Sequence, residues 1–406
     1  MKKKFILSII ICTLLTGCGR DPYIPDKDAI LKENENKVEV FNKLNLYDLI
    51  GENNIKVLTK NKELDTNKVG TFKETIDYEF KEKKYKYDLT YNVIDVNSPF
   101  VISYQKSVTT LINNVPYPCE SANYVDDYDD EPSCEIIGEY DITTPGEYKV
   151  QYRFYDSSNN ETTKDLKIKI LEELPPVVSK PSTPSKVVRT PFEDYINKYK
   201  KEDNMIGIDV SRWQGKIDFE KVKEAGAEFV IMRLGIQSNY DKDISVDSYY
   251  HENIVAAKQA GLKVGVYVYT TAINNELAKE HAKWTLEVLD GLELDFPIAY
   301  DWENWKYLKS YNVSMHTLSE AFNTFAREVN KGGYEAMLYS SKYYLENIWK
   351  NRLNYPVWLA HYTTKEKSSY EGDYILWQLS STGSIPGISG SVDVDIYYNK
   401  KEDVNE

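Results

Sequence analysis

Histidine and cysteine are scarce, with four of each in 406 residues. None of His251, His281, His316 and His361 lies at metal-motif spacing from another, so neither a zinc site nor any other metal is expected. No G-x-G-x-x-G or P-loop string follows an apolar strand, which removes the usual nucleotide-phosphate cradles. A G-x-S-x-G nucleophile elbow is also missing; the nearest string is GISGS at Gly387 to Ser391. His361, in an apolar strand context, reads as a core or rim residue rather than a catalytic base. Positive charge is in deficit, the formal net charge being -14, and that argues against nucleic acid as a partner, because polyanion affinity rests on Lys and Arg neutralising phosphates. No organic cofactor is expected.

What is present begins with an address. Lys2 to Lys4 are basic, Phe5 to Leu15 is apolar but too short to span a bilayer, and Leu15-Thr16-Gly17-Cys18 follows. This resembles a bacterial lipoprotein box. The resemblance implies cleavage before Cys18, lipidation of that cysteine, and an extracytoplasmic chain anchored to the membrane. Cys12 then belongs to the removed leader, and the remaining pair, Cys119 and Cys134, flanks an acidic, turn-like loop in an oxidising compartment, where a disulfide is expected. Residues 19–36 are polar and aperiodic, as in a flexible stalk.

An internal repeat comes next. Asp65 to Phe72 reads DTNKVGTF and Asp141 to Tyr148 reads DITTPGEY, so Gly70 and Gly146 stand 76 positions apart. Alternating apolar positions follow each glycine, Ile76 and Tyr78 in the first copy and Tyr152 and Phe154 in the second. Two copies of this length imply two small all-β sandwiches, 37–97 and 98–172, similar to the immunoglobulin-like modules of bacterial surface proteins. They could bind glycan or protein; the reading favoured from sequence is a spacer. Residues 173–200, with LPPVVSKPSTPSKVVRT inside them, read as a Pro-rich, semi-rigid linker.

From 201 to 400 strand-like and helix-like patterns alternate. Five βα units end near Trp349, and three strands, near Val357 to Ala360, Tyr374 to Leu379 and Val392 to Tyr397, follow without intervening helices. The rhythm predicts a parallel sheet, and eight strands suffice to close a barrel. The expected chain is therefore multidomain, with a C-terminal α/β irregular TIM-like barrel behind the two all-β modules. Barrel chemistry sits at the C-terminal strand ends. Acidic residues cluster there: Asp209 in GIDVSRWQG, Asp301 and Glu303 in PIAYDWEN, and Asp393 in GSVDVDIYY. On an extended strand Asp301 and Glu303 share a face, about 6 to 7 Å apart. Carboxylates crowded in a cleft have their pKa values driven apart, so one stays protonated near neutral pH, the condition for glycoside hydrolysis.

Met205 to Tyr398 resembles glycoside hydrolase family 25, the N-acetylmuramidase lysozymes. The likeness rests on GIDVSRWQG, VIMRLG, AAKQAGLKVGVYVY, YDWEN, GYEAMLYSS and ILWQLSSTGSIPGISGSVDVDIYYN in that order. It implies cleavage of the β-1,4 bond between N-acetylmuramic acid and N-acetylglucosamine in peptidoglycan. Glu303 matches the general acid, Asp301 the partner of the substrate acetamido group, and Asp209 and Asp393 the other cleft carboxylates. Tyr339, Gln378 and Trp358 match substrate-lining positions, and Val268 departs from a Y-H-Y string. The alternatives are a non-catalytic glycan-binding lipoprotein and a hydrolase of another amino-sugar polymer such as chitin.

Overall fold

The computed structural model describes residues 31–33, 35–174, 187–239, 242–349 and 354–398. Two compact units result, one ending at Val96 and the other beginning at Asn97. The expected leader with Cys18 and residues 19–30 and 34 of the expected stalk lie outside the described residues, as do 175–186 of the expected linker.

In the first unit a long hairpin, Gly70–Phe80 with Lys83–Ile94, is flanked by Lys56–Val57 on one side and by Lys37–Glu39, parallel to the second arm, on the other. Alternation buries Ile76, Tyr78, Leu89, Tyr91 and Val93 on one face. The two-residue turn places Lys81 and Glu82 at φ 49° and 60°, the conformation that matches strand twist in a tight hairpin.

The second unit begins with a sheet of the same order. Its hairpin, Gly146–Tyr155 with Glu161–Leu171, is flanked by Ser133–Ile137 and by Ser107–Leu111, again parallel to the second arm. Tyr152 and Phe154 are buried here as Ile76 and Tyr78 are in the first sheet. Phe100–Ser103 and Asn123–Val125 form a separate two-stranded ribbon whose Val101 and Tyr124 pack into that sheet's core, and a disulfide joins Cys119 to Cys134.

The rest of the second unit is a barrel. Its strands are β1 (Asn204–Val210), β2 (Phe229–Ile236), β3 (Lys263–Tyr269), β4 (Ile298–Asp301), β5 (Ala336–Ser341), β6 (Val357–Ala360), β7 (Leu376–Ser384) and β8 (Val392–Tyr398). Each pairs with the next, and β8 pairs with β1, so the ring of eight closes. Strands β1 to β7 run parallel, as the βα rhythm of the first five predicts, but β8, whose direction that rhythm does not reach, is antiparallel to both neighbours. The reason is the short connection: residues 385–391 are too few for a parallel crossover, which takes a dozen or more. Inward side chains such as Phe229, Ile231, Ala299, Met337 and Trp358 fill the interior, while Val230, Val264, Val266, Ile298 and Tyr300 meet the helices.

Residues expected to be linker also join this core. Thr190–Pro191 pairs with Gly383–Ser384 of β7, and Phe192–Tyr199 forms helix α1. The spacing of Phe192, Tyr195 and Tyr199 gives it one apolar stripe, and all three are buried. The second β module is likewise no free spacer: Val125 is buried in the barrel's outer core, with Phe100 and Ile102 packed against it.

Candidate active site

Strand β4 sets the geometry. Ala299 and Asp301 turn into the barrel while Ile298, Tyr300 and Trp302 pack outward, so Glu303, two residues beyond Asp301, continues the inward row at the C-terminal mouth. Asp209 near the end of β1 is buried and stands in register with Asp393. Because β8 runs the opposite way, its first residues lie at this same mouth. Two positions deeper, Asp395 is completely buried.

The four expected carboxylates therefore share one end of the barrel with a fifth, Asp395, that sequence reasoning missed; its i+2 spacing from Asp393 was the available signal. Arg233, on the inward row Phe229, Ile231, Arg233, was also missed. It is buried and ion-paired to Asp247 at 2.6 Å. An arginine inside the apolar run FVIMRLG marks a strand end that serves charge.

Burial disfavours the charged form of every carboxyl here. Asp209 is pushed well above the ordinary range by burial, then by the charge of Asp395, while the Gln378 amide opposes this. Asp393 is pushed up to about 8 by burial, Asp209 and Glu303. Asp301 rises through burial and then through Glu303 and Asp209, with Arg233 acting the other way. Glu303 rises through burial as well. Its side chain nevertheless reaches solvent, and screening limits the rise. Asp301 and Glu303 titrate as a pair.

A hydrogen-bond chain fixes the floor. Tyr339 Oη (2.9 Å) and Tyr362 Oη (2.8 Å) donate to Gln378 Oε1, and Gln378 Nε2 donates to Asp209 Oδ2 at 2.7 Å. Gln378 is thus a buried buttress of Asp209, while Tyr339 and Glu303 line an open cleft of about 580 Å³. Trp358 has a different place from the one expected. It is 1 % exposed, and its Nε1 donates to Asp395 Oδ1 at 2.8 Å, so it supports a carboxylate from within the core and touches no cleft surface. Val268 is fully buried in the outer core, facing the helices. His361 lines the cleft, its Nδ1 2.7 Å from Ser368 Oγ. Around the mouth, Trp213 (76 % exposed), Tyr307, Tyr343 and Tyr362 follow strands β1, β4, β5 and β6 and offer exposed aromatic surface, with Arg212 over the Trp213 ring and Lys306 over Tyr307.

Residues 208–388 match the family model described as glycosyl hydrolases family 25. The chain is 32% identical over 192 residues to the autolytic lysozyme of Clostridium acetobutylicum, covering 47% of this chain and 55% of that protein. It is 27% identical over 202 residues to lysozyme M1 of Streptomyces globisporus, covering 46% and 65%. A solved structure of the modular autolysin LytC from Streptococcus pneumoniae, in complex with a synthetic peptidoglycan ligand, aligns at 25% identity and a TM-score of 0.43 over 61% of this chain and 56% of that one. The chain thus spans little more than half the length of the Clostridium lysozyme and of the autolysin. By sequence, residues 208–388 of the barrel are similar to the glycosyl hydrolases of family 25.

Proposed function

We propose that the chain is a cell-wall muramidase that cleaves the β-1,4 bond between N-acetylmuramic acid and N-acetylglucosamine in peptidoglycan. The observation that carries this is the convergence of Asp209, Asp301, Glu303, Asp393 and Asp395 at one mouth of a barrel similar to family 25, with Arg233 as the buried cation beside them. The Clostridium and Streptomyces lysozymes named above point the same way.

Glu303, reaching the cleft, donates its proton to the leaving glycosidic oxygen. Asp301 accepts a hydrogen bond from the acetamido N–H of the substrate, whose carbonyl oxygen attacks the anomeric carbon; water then opens the ring so formed, with Glu303 taking back a proton. In the free protein the pair competes for a proton, burial favouring Asp301 and Arg233 opposing it. The acetamido N–H favours the charged form of Asp301 and so drives the proton to Glu303. Trp213 and Tyr362 stack on sugar rings. The β modules are immunoglobulin-like, and Cys18 carries the lipid that tethers the chain outside the cytoplasm.

Two comparisons test the chemistry. Glu303→Gln should lower kcat by about 10²- to 10⁴-fold. Peptidoglycan stripped of its N-acetyl groups should resist the wild-type chain, and rapid cleavage of it would exclude acetamido participation.

A further inference from the structure

We infer that the second β module is a working part of the catalytic unit, with Asn123 as the positioning residue for the loop that carries Glu303. The inference rests on Glu303 being the general acid. Among the described residues no hydrogen bond holds the Glu303 carboxyl, so its place is set by its backbone. On one side that backbone continues buried Asp301 and Trp302. On the other, Trp305 N donates to the Glu303 carbonyl at 2.7 Å, and Trp305 stacks on Tyr344 with centroids 3.8 Å apart.

Asn123 grips the loop from the module. Buried at the start of the ribbon strand Asn123–Val125, it donates through Nδ2 to the Trp305 carbonyl and accepts at Oδ1 from Lys309 N at 3.1 Å. A single amide thereby bridges Trp305 and Lys309 of the 3₁₀ helix Trp305–Tyr311 that follows the acid. Lys309 returns the contact: its Nζ donates to the carbonyl of Cys119 at 2.8 Å and lies 5.0 Å above the Tyr124 ring. Cys119 is in turn held by its disulfide to Cys134.

Farther from Glu303, the same module segment caps the helix Met315–Lys331. Asp130 Oδ1 accepts from Ser314 N at 2.7 Å, and the Asp126 carbonyl accepts from Met315 N at 2.8 Å, both satisfying donors that a helix start leaves free. The interface therefore has an end at the acid and an end at the helix, and only the first should govern rate. A misplacement of about 1 Å at a reacting group costs on the order of 100-fold.

The test measures kcat, KM and Tm of the full chain on peptidoglycan for Asn123→Ala and Asp130→Ala. Asn123→Ala should lose kcat by about 10-fold or more at nearly unchanged KM. Asp130→Ala should lower Tm with kcat within about twofold of the wild type. If Asn123→Ala does not fold, Lys309→Met, which keeps the stem and loses the ammonium's contacts with the Cys119 carbonyl and the Tyr124 ring, should show the same selective loss of kcat. A folded Asn123→Ala, or failing that Lys309→Met, with wild-type kcat would overturn the inference, as would an equal kcat loss in Asp130→Ala, which would mark a merely structural interface. A wild-type chain that cleaves nothing would remove the general-acid reading itself, a result distinct from an active chain indifferent to Asn123.

Discussion

At the scale of single residues, the pair in YDWEN was legible because strand alternation alone puts Asp301 and Glu303 on one face, and the strand turns that face inward. Depth was not legible. Trp358 reads from sequence as a cleft aromatic, yet periodicity gives the side of a strand and not the distance from the rim, and the indole lies at the level of Asp395. Its role is to give a buried carboxyl its donor. Trp358→Phe keeps most of the ring and removes that donor, so it should destabilise the fold by about 1–3 kcal/mol, measured by urea unfolding, while KM for peptidoglycan stays near the wild-type value. A large rise in KM with unchanged stability would restore Trp358 to the substrate surface.

At the scale of elements, the eight barrel strands and the helices between the first five were readable because each carries its own period and end signals. The helix Met315–Lys331 starts where the Ser314 hydroxyl accepts from Thr317 N and presents Leu318, Phe322, Phe325 and Val329 along one face. Two features of the elements escape strand and helix patterns for physical reasons. The direction of β8 follows from a seven-residue connection, a cue that lies in spacing and not in strand composition. Helix α1 was masked by the proline-rich stretch before it, although Pro191 immediately precedes Phe192, where a helix start tolerates proline well. The positive-φ turn at Lys81 and Glu82 carries none of the usual Asn or Gly signal.

For the whole molecule, the burial of acidic groups at the barrel mouth makes stability depend on pH. A carboxyl whose pKa is raised on folding contributes stability that is fully present below its unfolded value and is lost as pH rises through the folded value. Asp393, pushed up to about 8, sets the upper end of that window, and Asp209, Asp301 and Asp395 shift in the same direction. Tm should therefore fall as pH is raised from about 4 to about 8, and the fall should be shallower in Asp393→Asn. A Tm that climbs across this interval would contradict the buried, proton-holding arrangement. Self-repulsion from the net charge of -14 acts in the same direction, so the difference between the two proteins, rather than either curve alone, isolates Asp393. Two features of the molecule's organisation were out of reach of sequence patterns: the docking of the second β module on the segment after Glu303, and the matched strand order of the two sheets. Both depend on contacts between stretches far apart in the chain.

The most direct measurement identifies the sugar at each new reducing end when purified chain is incubated with peptidoglycan. The account predicts ends on N-acetylmuramic acid, released by the wild type and suppressed in Glu303→Gln. Binding with no new ends, or ends on N-acetylglucosamine, would contradict it.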